Sequence, residues 1–248
     1  MFLKKKLLNE KILLIIIFLS ALLINQFSGN RGIYPVDSFG FFDSGFRVLN
    51  GEYPFKDYWI VSGPFIDYFQ ALLFSIFGAN WQSYILQSSL LNAFLSVITF
   101  KFLREFDLDL KSSFFYTICL SVLAYPSSGT PFVDHHATFL SLIGIYFLIL
   151  GIKKDKKTYW LLLPFILGFA FLSKQVPTAY LAISIILMIG LNFLSNDKNN
   201  NIRTFLLLLV SSIIFLSLVL LIFIITDTSI KNFFEQYFFY PSSIGESR

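Results

Sequence analysis

Three polar groupings in this 248-residue chain have chemistry to offer: Asp37-Ser38, Asp134-His135-His136 and Lys174. Asp37 has no basic residue within four positions on either side, so its charge is either solvated or reserved for a reacting or bound group. An Asp followed by two His at a helix start offers a phosphate site through the helix N-terminus, or a divalent metal site through carboxylate and imidazole. Adjacent histidines point about 100° apart on a helix, which disfavours both ligating one ion. The plainer alternative is a polar helix cap followed by interfacial rings. Lys174 stands in Ala170-Phe171-Leu172-Ser173-Lys174-Gln175-Val176-Pro177, far from the lysine clusters. It is either a helix-end lysine reaching for water or an ammonium kept for an anion. Asp43 and Arg47 have the i,i+4 spacing of a helix-stabilising ion pair, and Asp57 follows in an aromatic turn.

The elements that position these residues must live in lipid. The chain is 56% hydrophobic, 19% aromatic and 14% charged, with a mean hydropathy of +0.70, which excludes a water-soluble domain. Apolar runs of roughly 15 to 23 residues recur without period-two alternation, so the spans are helices and not barrel strands. The net charge of +4 sits in short clusters beside apolar runs. Topology accounts for it, and no nucleic-acid partner is expected. The single cysteine, Cys119, falls inside an apolar run and leaves no intrachain disulfide or cysteine-built metal site. Lys4, Lys5 and Lys6 precede an apolar run from Ile12 to Ile24 with no small-residue cleavage site after it, the pattern of a retained signal anchor.

Eight apolar segments stand near 9–26, 64–78, 82–103, 112–126, 137–152, 158–173, 177–195 and 204–226. If all eight cross from a cytoplasmic N-terminus, twelve of the 19 basic residues lie outside, including Lys153, Lys154, Lys156 and Lys157. That opposes the positive-inside tendency. Laying 64–78 on the membrane surface puts thirteen inside and leaves Arg31, Arg47, Lys56, Lys174, Lys231 and Arg248 outside. The segment is about 15 residues, short of the roughly 20 a span needs, and it holds Asp67 and Gln70. The expected architecture is an all-α integral membrane protein, a single domain over 1–248, with about seven transmembrane helices and surface helices near 37–50 and 64–78. Its N-terminus is expected in the cytoplasm, and its chemistry at the outer face of the cytoplasmic membrane.

In the first outer loop, Phe39, Phe42, Phe46 and Leu49 recur at helical spacing, as in an amphipathic helix lying in the interface. The loop then runs through Tyr53-Pro54 and Asp57-Tyr58-Trp59 to Gly63-Pro64, which opens the second surface helix. An acidic residue after the first span, a helix ending in Leu49-Asn50-Gly51, this aromatic turn and Gly63-Pro64 together resemble the first periplasmic loop of GT-C class glycosyltransferases. The similarity is to the glycosyltransferase family 39 type, which includes protein O-mannosyltransferases and the transferase that adds aminoarabinose to lipid A. The usual Asp-Glu and Pro-Pro of that type read Asp37-Ser38 and Gly63-Pro64 here.

The resemblance implies that Asp37 is the catalytic carboxylate. It implies that Lys174, in a Leu-x-Lys match, binds the phosphate of a polyprenyl-phosphate sugar donor, with His135 and His136 beside it. Asp134 then stands as a second carboxylate or metal ligand, with a divalent metal ion as the open cofactor, and Asp43, Arg47 and Asp57 as supporting residues. The acceptor is a lipid, glycan or protein. Family members are longer, so an inactive truncated homologue is one alternative reading. A non-enzymatic lipid or solute transporter is another, although the span interiors hold almost no charge and Pro164 is their one helix breaker of note; a polysaccharide polymerase or ligase is a third, although outer arginines are few.

Overall fold

The computed structural model describes residues 2–32, 37–195 and 198–246. It is built from helices: α1 (Phe2–Gly29), α2 (Asp37–Leu49), α3 (Phe65–Phe77), α4 (Trp81–Glu105), α5 (Leu110–Leu123), α6 (Val133–Lys154), α7 (Lys157–Phe171), α8 (Gln175–Ser195) and α9 (Lys198–Ile225). A 3-10 turn at Tyr125–Ser127 follows α5. A closing segment comprises α10 (Ile230–Phe234), a π turn at Glu235–Phe239 and α11 (Tyr240–Glu246). No strand forms among the described residues.

Local chemistry sets the boundaries. The Asn80 side chain accepts from the Ser83 backbone while Ser83 Oγ accepts from the Asn80 backbone, a reciprocal cap that starts α4. Asp109 starts α5 by accepting from the backbone of Lys111 and Ser112, and a hydrogen bond from the Ser112 side chain, together with these backbone bonds, holds its carboxyl below the usual range. Gly78, at φ 80, turns the chain between α3 and α4.

Among the described residues, five stretches are long and apolar enough to cross a membrane: Glu10–Gly29, Trp81–Glu105, Val133–Lys154, Gln175–Leu194 and Asn200–Ile225. Of the seven crossings expected, α5 and α7 fall short of that length, at 14 and 15 residues. At about 1.5 Å per residue they cover roughly 21–23 Å of a hydrocarbon layer about 30 Å thick. Both nevertheless run between the two ends of the bundle.

Three ion pairs mark one end. Arg104 meets Glu10 at 2.9 Å, Lys154 meets Glu105 at 2.6 Å, and Arg203 lies 3.6 Å from Asp155. At the other end Trp81 Nε1 donates to the Gly29 carbonyl at 3.1 Å and Ser28 Oγ to the Pro126 carbonyl at 2.6 Å. The Gly63 backbone N–H donates to the Ser173 carbonyl there at 3.0 Å. Because α1 ends where α4 begins, the chain between them makes no net crossing. The α2–α3 pair is therefore a surface unit, over nearly the residues expected.

Inside the bundle, small polar side chains join the helices. Asn25 Nδ2 donates to Ser88 Oγ, Ser89 Oγ and the Gly129 carbonyl, and Asn92 Nδ2 to the carbonyls of Ala21 and Ser121. In lipid, where apolar surfaces gain little by meeting, such bonds supply about 0.6 kcal/mol each and fix which helices pair. The outward faces of α8 and α9 are apolar and exposed, as at Ile186, Leu194, Ile224 and Ile225, surfaces suited to lipid.

Candidate active site

The site-bearing end is assembled where α7 stops. Ser173 and Lys174 both return their backbone N–H groups to the Ala170 carbonyl, and Ser173 Oγ donates to the Phe169 carbonyl at 2.8 Å. The run into α3 lies alongside: Phe65 N donates to the Leu172 carbonyl at 3.0 Å, beside the Gly63–Ser173 bond. A Cβ on Gly63 would stand 1.8 Å from the Leu172 carbonyl oxygen, so only glycine allows this approach. Gln175 Nε2 adds bonds to the carbonyls of Val61 and Tyr237, at 3.0 and 2.6 Å.

Lys174 Nζ meets Asp134 Oδ1 at 2.5 Å, with the two side chains 37% and 45% exposed. The structure thus joins two of the residues singled out from sequence. A half-exposed pair of this kind stabilises a fold by only about 0–1 kcal/mol, so an arriving anion can compete for the ammonium. Asp134 sits in the first turn of α6, where the helix end favours its negative charge.

The histidines part company. His136 is buried, its Nδ1 2.5 Å from the Tyr125 hydroxyl, and its ring packs edge-on to Phe65. Tyr125 is itself fully buried, and burial holds its phenol well above the ordinary range; its hydroxyl also accepts from the Phe132 backbone at 2.9 Å. His136 therefore braces the start of α6 from within. His135 is half-buried against Tyr125, with Nε2 3.3 Å from Ser127 Oγ. Among the described residues, no three His, Cys, Asp or Glu side chains gather as a metal site.

Asp37 opens α2 and is exposed, with no ion pair to a described residue. One turn on, the Phe41 ring stands edge-on to Phe132 at 6.1 Å, two residues before Asp134. Asp37 and Phe41 share a helix face by their i,i+4 spacing, so α2 directs the face bearing Asp37 toward the start of α6. Direct contact between Asp37 and the Lys174–Asp134 pair is not made. The linker 33–36 that precedes Asp37 lies outside the described residues.

The supporting residues have ordinary partners. Arg47 pairs with Asp43 at 2.7 Å and Glu52 at 2.9 Å, and these carboxylates raise its already high pKa. Asp57 Oδ2 accepts from the Tyr53 backbone at 2.7 Å and closes the aromatic turn.

A residue that sequence reasoning passed over stands out more. Asp67, on α3, is 1% exposed. Its two oxygens accept from Ser44 Oγ at 2.6 Å and Tyr58 Oη at 2.8 Å. Burial pushes its carboxyl up to about 6, and the two hydrogen bonds oppose the shift. Its signal was a carboxylate inside an apolar run, which marked the segment as non-spanning without revealing the partners.

Beside the site, Pro64, Phe65, Tyr68, Leu72, Leu172 and Ile222 are among the walls of an almost wholly apolar groove of about 410 Å³ between α3, α7 and α9. Its wall at Leu172 is two residues from Lys174.

The family profile described as dolichyl-phosphate-mannose-protein mannosyltransferase matches residues 61–224. The matched stretch includes Asp67, Asp134, His135, His136 and Lys174 and begins after Asp37. Comparison with the curated proteins and with the solved structures returned no match. Two thirds of the chain fits that profile on an all-helical membrane scaffold of the kind the first-loop residues implied, and the chain belongs to the dolichyl-phosphate-mannose-protein mannosyltransferase family, a group of GT-C glycosyltransferases.

Proposed function

We propose that the chain moves a sugar from a polyprenyl-phosphate donor to a hydroxyl-bearing acceptor at the outer face of the cytoplasmic membrane. The observation that carries this reading is the Lys174 ammonium, in a weak exchangeable pair with Asp134, beside an apolar groove. A polyprenyl phosphate has the matching form: an apolar tail for the groove and a charged head for the lysine. The positive-inside tendency supports the sidedness, because the opposite end of the bundle carries Arg104, Lys153, Lys154 and Arg203.

In this mechanism Asp37 takes the proton of the acceptor hydroxyl as its oxygen attacks the anomeric carbon. The bond from that carbon to the phosphate oxygen breaks, and its electron pair leaves on the polyprenyl phosphate. Lys174 meets the charge of the leaving phosphate, and Asp134 holds the ammonium in place before the donor arrives. His135 lies at the margin of this site, and His136 keeps the α6 terminus in position. Attack from the face opposite the phosphate inverts the anomeric centre.

The test is transfer by the full chain in membranes supplied with radiolabelled polyprenyl-phosphate sugars. Wild type is expected to transfer label, and Asp37→Asn to lose about 10²–10⁴-fold in rate with unchanged membrane insertion. An Asp37→Asn protein that transfers normally removes Asp37 from the mechanism.

A further inference from the structure

A second cavity lies against α2 and shares no lining residue with the apolar groove. It has a volume of about 440 Å³ and is open to solvent, with Phe41, Ser44, Arg47, Tyr58, Trp59 and Asp67 in its lining. That volume is within the range of roughly 300–1,000 Å³ typical of small-molecule sites.

Its chemistry is specific. Asp67 takes the hydroxyl protons of both Ser44 and Tyr58, so the free lone pairs of those two oxygens are left as acceptors. Burial and the adjacent carboxylate keep the Tyr58 phenol protonated far above the ordinary range, which maintains this arrangement at neutral pH. Arg47 lies over the Tyr58 ring at 5.8 Å, a donor group at the rim. Trp59 is 56% exposed, although Tyr240 packs edge-on against it at 5.2 Å. Such an indole, large and apolar yet left open, is the usual platform for an apolar ligand face.

A ligand for this cleft must donate hydroxyl protons, accept from a guanidinium and offer a C–H face to an indole. The carboxylates of Asp43 and Asp67 in the lining outnumber Arg47, which disfavours phosphates and other anions. A neutral saccharide has all these properties. A peptide hydroxyl supplies one donor and no apolar ring face.

We propose that this cleft is a saccharide-binding subsite, with Asp67 as the positioning residue that fixes its two hydroxyl acceptors and Trp59 as its stacking platform. Asp37 lies on the same stripe of α2 as Phe41 and Ser44, at i,i+4 and i,i+7, with Ser44 about 10 Å farther along the helix axis. The cleft thus leads along α2 toward Asp37, the position of an acceptor glycan. Only the word acceptor rests on the transferase reading; saccharide binding does not.

The experiment uses the full chain in lipid nanodiscs, with no donor present. It titrates methyl α-mannoside, methyl β-glucoside and a serine-rich peptide by saturation-transfer NMR. Wild type is expected to bind at least one glycoside. Trp59→Ala, a change at a largely exposed side chain, and Asp67→Asn are each expected to weaken that binding about tenfold or more. Absence of glycoside binding, glycoside binding that survives both cleft variants, or binding of the peptide alone overturns the proposal. A normally active Asp37→Asn enzyme would instead count against the catalytic reading and leave saccharide binding standing.

Discussion

Lys174 Nζ and Asp134 Oδ1 stand 2.5 Å apart across 40 residues of chain, joining the end of α7 to the first turn of α6. Half-exposed, the pair contributes little to stability, yet it fixes an ammonium at the rim of the membrane domain. Lys174→Ala is expected to lower transfer by about 10²–10³-fold, as for loss of a group that stabilises developing charge. Thermal stability should change by no more than about 1 kcal/mol. Unfolding scans and transfer assays on the same preparation separate the two effects. An unaltered rate would remove Lys174 from the donor site.

Gly63 supplies the close approach on which that lysine depends. With a Cβ 1.8 Å from the Leu172 carbonyl oxygen, Gly63→Ala must push the start of α3 away from α7 and break the Gly63–Ser173 and Phe65–Leu172 bonds. Overpacking usually costs about 1–3 kcal/mol, and the broken bonds add to that. A lower melting temperature in detergent, together with weakened transfer, is the expected result. A Gly63→Ala protein as stable as wild type would show that the contact is not needed.

Asp67 makes stability depend on pH in a direction opposite to that of a salt-bridged acid. Its carboxyl is raised to about 6 in the folded protein, against about 3.9 in an unfolded chain. The folded state therefore holds a proton through the window between these values that the unfolded state has released. Its contribution is fully present below about 4 and is lost as pH rises through about 6, a change of roughly 3 kcal/mol. Melting temperatures measured from pH 7 down to pH 5 should rise on this account, and Asp67→Asn should flatten the rise. Equal slopes for both proteins would show that Asp67 does not titrate in this window.

Much of this arrangement is legible in the residues themselves. The charge asymmetry and the short run holding Asp67 and Gln70 identify α2 and α3 as a surface unit, over 37–49 and 65–77 against 37–50 and 64–78 from sequence. The isolation of Lys174 and the Asp134-His135-His136 cluster mark two ends that do meet. Other features depend on packing that no local pattern encodes. The bonds from Ser44 and Tyr58 to Asp67 exist because α2 crosses α3. The burial of His136 follows from a 3-10 turn that folds Tyr125 back beneath α6. The apolar run 112–126 suggests a longer helix than α5 provides, because Pro126, without a backbone N–H, cannot continue it. Phe39 and Phe46 are exposed, as an interfacial helix requires, whereas Phe42 packs at 4.9 Å on Phe74 and 5.3 Å on Tyr84.

The two-ended bundle has a direct test that needs no substrate. Asp57 and Ala79 are exposed and flank α3, whereas Asp107 and Lys156 are exposed at the end that carries the ion pairs of Arg104 and Lys154. Because Trp81 donates to the Gly29 carbonyl, α3 cannot carry the chain across, and Asp57 and Ala79 must face one compartment. In a chain whose sole cysteine is removed by Cys119→Ser, Asp57→Cys and Ala79→Cys are expected to react with an impermeant thiol reagent added outside intact cells. Asp107→Cys and Lys156→Cys should react only after permeabilisation, since basic flanks are retained in the cytoplasm. Reaction of positions 57 and 79 from opposite sides would make α3 a crossing helix. It would also move Asp37 and Lys174 to different faces of the membrane, where the two could not act on one donor.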